Sequence, residues 1–180
     1  MIPAQGQYDV PFNKIESSLQ AWATEALDLV HGAAGDPEGK MTLSEVDWSD
    51  PRSIQAMLIR ARTRSDRVAE LLAKATQARH RARRAQSSAQ FAAEIAFDEA
   101  TNKNATSTKR LEFATREERN AAANIESLEQ KRIAHFSERT TDIAVEVHEV
   151  ITQTHWHLEG IRKDLRAALH ELQFESSLER

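Results

Sequence analysis

Residues 52–180 include no proline and a single glycine, Gly160. A run that long without either punctuator suits helices, whereas strand-and-turn folds need Gly, Pro and Asn at short intervals. The remaining prolines are Pro3, Pro11, Pro37 and Pro51, and the sequence is rich in Ala, Glu, Arg and Leu, all strong helix formers. The chain reads as all-α.

Apolar spacing sets out the helices. After Pro11, favoured at a first helical position, Phe12, Ile15, Leu19, Trp22, Ala26 and Leu29 recur every three or four residues up to Gly32, predicting one helix with one apolar stripe. "GAAGDPEGK", residues 32–40, reads as loop, and the stretch to Ser49 has no sustained period. "SDP" at 49–51 then supplies a cap followed by proline, a start signal for the next helix.

In that helix Ile54, Leu58, Ala61, Ser65, Val68, Leu72 and Ala75 alternate steps of four and three. Ala78, Ala82, Ala85, Ala89, Ala92, Ala96 and Glu99 continue the stripe after one phase adjustment. A mean repeat of about 3.5 residues is a coiled-coil seam, and its alanines let a partner approach closely. Phe91 and Ile95 lie off it as a second small apolar patch.

"TNKNATST", residues 101–108, is the expected turn, since its side chains compete for backbone hydrogen bonds. Leu111, Ala114, Glu118, Ala122, Ile125, Leu128 and Arg132 then lead into Phe136, Thr140, Ile143, Val147, Val150, Thr154, Leu158, Ile161, Leu165, Ala168 and Leu172. A small seam facing a large one predicts a long antiparallel, coiled-coil-like helical hairpin over 51–180, preceded by a shorter acidic helix and linker over 1–50. A hairpin has little interior, so its stripes need a third helix or other subunits, and a homo-oligomer is expected.

The formal net charge is only -4, yet residues 52–84 hold ten Arg and Lys against two acids, between acidic flanks. At the centre of this stretch stands "QARHRARRAQ", with Arg79, His80, Arg81, Arg83 and Arg84, and Lys74, Arg64 and Arg67 precede it. Two readings stay open. If the turn is centred near residue 104, Arg83 lies level with about residue 126, and Glu117, Glu118, Glu126 and Glu129 become cross-helix partners. Residues 112–129 carry five glutamates against two arginines, too few acids for all the cations, so exposed arginines would remain to neutralise phosphates.

"HEVITQTHWHLEGIRKDLR", residues 148–166, is the second stretch of interest. His148 and His155 share a helix face and His157 points elsewhere, without the spacing of helical zinc proteases, so no metal site is expected. Trp156 with Arg162, Lys163 and Arg166 has the makings of a base-stacking group, but burial against the first helix is the favoured reading of this tryptophan, and the same caution applies to Trp22 and Trp48. No GxSxG, phosphate-cradling glycine loop or cysteine is present, which argues against an enzyme and against a cofactor. The opening MIPAQGQYDVPFNK lacks a signal-peptide pattern, no window approaches the ~20 apolar residues of a membrane span, and cysteine is absent. A cytoplasmic protein with no membrane partner is expected.

Residues 51 to about 173 resemble the UvsY-type recombination mediators of bacteriophages. "PRSIQAMLIRARTRSDRVAELLAKATQARHRARR" is similar to their leading helix, followed by a polar turn and a returning helix ending in "GIRKDLRAALHELQ". The resemblance implies a non-enzymatic helical oligomer, in a host-cell cytoplasm, that loads a recombinase onto single-stranded DNA coated by a single-strand-binding protein. It suggests Arg79, Arg81, Arg83, Arg84, Arg162, Lys163 and Arg166 as DNA-binding residues, and Lys74, which flanks the basic run, is a further candidate. The alternative is a structural or scaffolding coiled coil that binds another protein and no nucleic acid.

Overall fold

A computed structural model describes residues 6–32, 41, 43–106 and 115–178. It contains α1 (Gly6–His31), a 3-10 turn (Leu43–Glu45), α2 (Pro51–Thr106), α3 (Arg116–Glu126) and α4 (Leu128–Leu178), with no strand among the described residues. The expected all-α hairpin of two long helices is present.

Helix α1 starts at Gly6, before the expected Pro11. Pro11 lies just beyond the four positions whose N–H groups are unbonded in any helix, so keeping it inside forgoes about one hydrogen bond. The other end falls where expected. Gly32 takes φ 71°, a left-handed conformation open to glycine, and donates its N–H to the Asp28 carbonyl at 2.7 Å. Most of the glycine-rich loop, residues 33–40, lies outside the described residues.

The stretch before α2 is more ordered than its lack of period suggests. Met41 and Val46 are buried. The Asp47 carboxylate accepts from the Ser49 amide at 3.0 Å and its hydroxyl at 2.6 Å, and these bonds, the hydroxyl's first, hold its pKa below the ordinary aspartate value. Asp50 then accepts the Arg52 N–H at 2.9 Å, capping α2 at the predicted "SDP".

Helix α2 keeps a strict metre at first: Ile54, Ala61, Val68, Ala75 and Ala82, seven apart, are all fully buried. Beyond Ala82 the buried positions become Ala93 and Asn104, eleven apart, with Ala100 between. The expected stripe through Ala92 and Glu99 therefore misses by one residue, and both are exposed. An eleven-residue repeat tracks the straight helix more closely than a seven-residue one, so a seam read in sevens drifts off it. The predicted turn at 101–108 is also displaced. The helix continues through Thr106, because Thr101 donates its hydroxyl to the Phe97 carbonyl within the helix and does not compete it open. Residues 107–114 lie outside the described residues.

The returning segment is two helices, not one. Thr115 caps α3 by accepting the Glu118 N–H at 3.1 Å while Glu118 accepts the Thr115 N–H at 3.0 Å, a reciprocal capping box. The break falls at buried Ser127, whose hydroxyl donates to the Ala123 carbonyl at 2.8 Å. In α4 Ser137, Ala144, Ile151, Leu158 and Leu165 form a second fully buried series with a seven-residue step. The expected stripe agrees at Thr140, Val147, Thr154, Leu158, Ile161 and Leu165. Further back it fails: Ile125 (74%), Leu128 and Phe136 are exposed, as are Glu118 and Arg132, while Ala123, Ser127, Ile133 and Ser137 are buried. Apart from Ile133, the seam of this stretch is made of small residues, and its other bulky residues face outward.

The chain divides into two compact units. One joins residues 18–77 and 146–180. In it the latter part of α1 contributes Leu19, Ala26 and Val30 to a core with Ile54, Val68, Ile151, Leu158 and Leu165. Arg64, only 1% exposed, donates to the Leu29 carbonyl at 3.0 Å, and Arg67 donates twice to Glu25 at 2.7 and 2.9 Å. That pairing with Glu25 raises the Arg67 pKa. Two of the basic residues of 52–84 thus fasten α1 to α2.

The other unit joins residues 1–17 and 78–145. Its described core is mostly small: Ala82, Ala93, Ala100, Ala123, Ser127, Ser137, Thr140 and Ala144. In this unit small residues come from both long helices, whereas in the first unit the α2 seam alternates Ile54, Ala61, Val68 and Ala75 and α4 supplies the larger Ile151, Leu158 and Leu165. The buried hydroxyls are satisfied locally, with Ser137 donating to the Ala134 carbonyl, Thr140 to Phe136 and Thr141 to Ser137.

Candidate nucleic-acid interface

The seam dictates which arginines reach water. Ala75, Ala78 and Ala82 point inward on α2, so the residues between them are thrown to its sides and back. Within the unit that holds residues 78–145, Arg79 is half-buried beside this seam, while His80, Arg81, Arg83 and Arg84 are exposed. Among the described residues Arg81, Arg83 and Arg84 take part in no ion pair.

The acids nominated as their partners are elsewhere. Lys103 pairs with Glu126 at 3.8 Å, and Lys131 lies over the Phe97 ring at 4.6 Å. This register places Arg83 level with about residue 145 of α4, not 126, because α2 runs further before the chain reverses. Glu118 is spent on the α3 cap, and Glu117 is exposed at the start of that helix. Around the level that Arg83 does face, Glu138 lies 3.7 Å from His135 on its own helix, and Asp142 is exposed.

The other nominated cations belong to the unit holding residues 18–77 and 146–180, and they differ among themselves. Lys74 is exposed and paired with Glu70 at 2.7 Å, and this hydrogen bond holds the Glu70 carboxyl below its ordinary range. Arg162 is half-buried and pairs with Glu159, donating also to the Ser65 hydroxyl at 3.2 Å. Ser65 in turn donates to Glu159, and that bond first, with the Arg162 charge behind it, lowers the Glu159 pKa. Arg162 is thus part of a contact between α2 and α4. Lys163 and Arg166 are exposed.

Trp156 is 67% exposed, which corrects the expectation of burial against the first helix. Buried Thr154 and Leu158 bracket it on the seam, and a residue midway between two seam positions faces outward. Among the described residues its ring neighbour is His155, edge-on at 5.8 Å. His148 is tied to Thr76 at 3.1 Å, and His157 is exposed. Among the described residues no group of three His, Cys, Asp or Glu is arranged to hold a metal ion, and no helix is long and apolar enough to cross a membrane.

Sequence reasoning passed over Arg64 as one more flanking cation. Its signal was a position seven before Leu71 and three after Ala61, beside the buried stripe. Comparison of the chain with family models, curated proteins and solved structures finds no match.

Proposed function

We propose that this protein binds single-stranded DNA through the exposed arginines of α2, without catalysis of its own, and that it assists the loading of a recombinase as a cytoplasmic homo-oligomer. The observation that carries the reading is the exposure of Arg81, Arg83 and Arg84 on one rigid helix with no ion pair among the described residues. Guanidinium groups held this way can neutralise phosphates and release counterions whatever the base sequence. Copies gathered in an oligomer would multiply weak contacts by effective concentration. Partnership with a recombinase and a single-strand-binding protein rests on the resemblance of residues 51 to about 173 to recombination mediators.

The test replaces Arg79, Arg81, Arg83 and Arg84 with Gln and titrates a fluorescent oligothymidine. Binding by the wild type should fall steeply with salt, and the variant should bind more weakly with a shallower salt slope. Absence of binding by the wild type at low salt would overturn the proposal.

A second reading, a helical scaffold for another protein, draws on the exposure of Trp156, Phe174 and Leu178 on α4. On that reading light scattering, not oligonucleotide binding, responds to substitution of these residues.

A further inference from the structure

On α2 the exposed residues Arg81, Arg84, Ser88, Phe91 and Ile95 follow one another at steps of three and four, and so form a single row along one side of the helix. All five lie in the unit containing residues 78–145. Phe91 is 64% exposed and Ile95 41%, so a large apolar surface continues directly from two unpaired cations. The two phenylalanines of this part of α2 differ in kind. Phe97 is half-buried and has Lys131 against its ring, whereas Phe91 has no ring or cation contact among the described residues.

We propose that Phe91, extended by Ile95, is a base-stacking platform for a single strand whose phosphates lie on Arg81 and Arg84. The inference rests on the single-stranded-DNA reading above and names the residues that would select unpaired bases. Seven residues of helix separate Arg84 from Phe91 by about 10 Å, the span of roughly two to three nucleotides. A strand laid along the row therefore meets cations first and then an aromatic face. Every base has a π-face, so stacking on Phe91 is sequence-tolerant, as the phosphate contacts are. In a duplex those faces are already stacked on neighbouring pairs and only base edges are presented, so a phenyl ring projecting from a helix surface gains little there. The row thereby prefers single strands over duplexes, which the arginines alone do not.

The experiment measures full-length wild type, Phe91→Ala, Phe91→Trp and the four-arginine glutamine variant against oligothymidine and a duplex of equal length, at one low salt concentration. Circular dichroism checks that each variant keeps its helix content. The platform predicts that Phe91→Ala loses about tenfold or more in affinity for the single strand and changes little on the duplex. Phe91→Trp should hold wild-type affinity and show tryptophan quenching by oligothymidine beyond that of the wild type. Equal single-strand affinity of Phe91→Ala and wild type, with the arginine variant weakened, overturns the platform and leaves the nucleic-acid reading standing. Equal losses on both substrates also overturn it. If the wild type binds neither substrate, the reading beneath it falls as well.

Discussion

Replacing Arg64 with Met tests whether a buried cation holds the first helix in place. The Leu29 carbonyl is among the last four of α1, which have no intrahelical donor, and Arg64 supplies one at 3.0 Å from within the core. A hydrogen bond involving a charged group contributes about 1.5–3 kcal/mol, and a cation at a helix C-terminus about 0.3–1 kcal/mol more. Against this, Met removes the desolvation cost of a guanidinium while filling similar space, a gain of about 1–2 kcal/mol. The midpoints of these ranges leave an expected net loss of about 1.4 kcal/mol, or roughly 3–6 °C in Tm for a chain of this size. Arg64→Lys, which keeps the charge but loses the planar fork, should fall between. The assay is thermal unfolding followed by circular dichroism, joined to hydrogen exchange at the amides of residues 18–31. Exchange there should accelerate more than elsewhere in the same unit. A methionine variant that melts at or above the wild-type temperature, with unchanged protection over 18–31, refutes the fastening role.

The corrected seam predicts that Ile151→Ala costs about 2–5 kcal/mol in denaturant unfolding, while Ile125→Ala, at an exposed position, stays within about 0.5 kcal/mol. Gly160 is exposed in mid-helix with nothing within 4 Å of an added Cβ, so Gly160→Ala should stabilise by about 0.5–1 kcal/mol, and a lower Tm would contradict this. The Glu159 carboxyl titrates lower in the folded chain than in the unfolded one, so its stabilisation is complete above the ordinary value of 4.5 and is lost as pH falls through the depressed folded value. Glu159→Gln should flatten that acid-side decline in Tm, and an unchanged profile would refute the coupling. Amides of 82–104 and 123–144, behind an alanine and serine core, should exchange faster than those of 54–75 and 151–165.

Large, regularly spaced apolar residues mark most of the seam, although Leu58 and Leu72 on the expected stripe are half-buried and Met57 and Leu71 beside them are buried. Ile54, Val68, Leu158, Ile161 and Leu165 announce their seam without help, and "SDP" announces the helix that carries it. Ala61, Ser65, Ala75, Ala78 and Ala82 are buried as the stripe expects, because large neighbours fix their phase. Beyond Ala82 and over 123–137 the buried residues are mostly Ala, Ser and Asn with few large neighbours, and these occur as readily on a surface and carry no hydrophobic contrast. Near 123–137 the eye settles on Ile125, Leu128 and Phe136, one phase away from Ala123, Ser127 and Ser137. The polar run 101–106 has turn chemistry, yet neighbouring helix carbonyls satisfy Thr101 and the fold keeps the segment helical. For the candidate interface the clustering of arginines was plain. Their exposure was not, since it depends on a register that a misplaced turn shifts by many residues.

The seven-residue metre shared by 54–82 on α2 and 137–165 on α4 limits how such a chain can lengthen or shorten over time. Loss of one residue from either rod turns everything beyond it by about 100°, carrying every later seam residue into water. Removal of one heptad from each rod at matched levels leaves the remaining knobs still meeting their holes. Within these two stretches descendants of this sequence should therefore differ by sevens, in pairs, while the eleven-residue spacing beyond Ala82 sets a different step for the rest of α2.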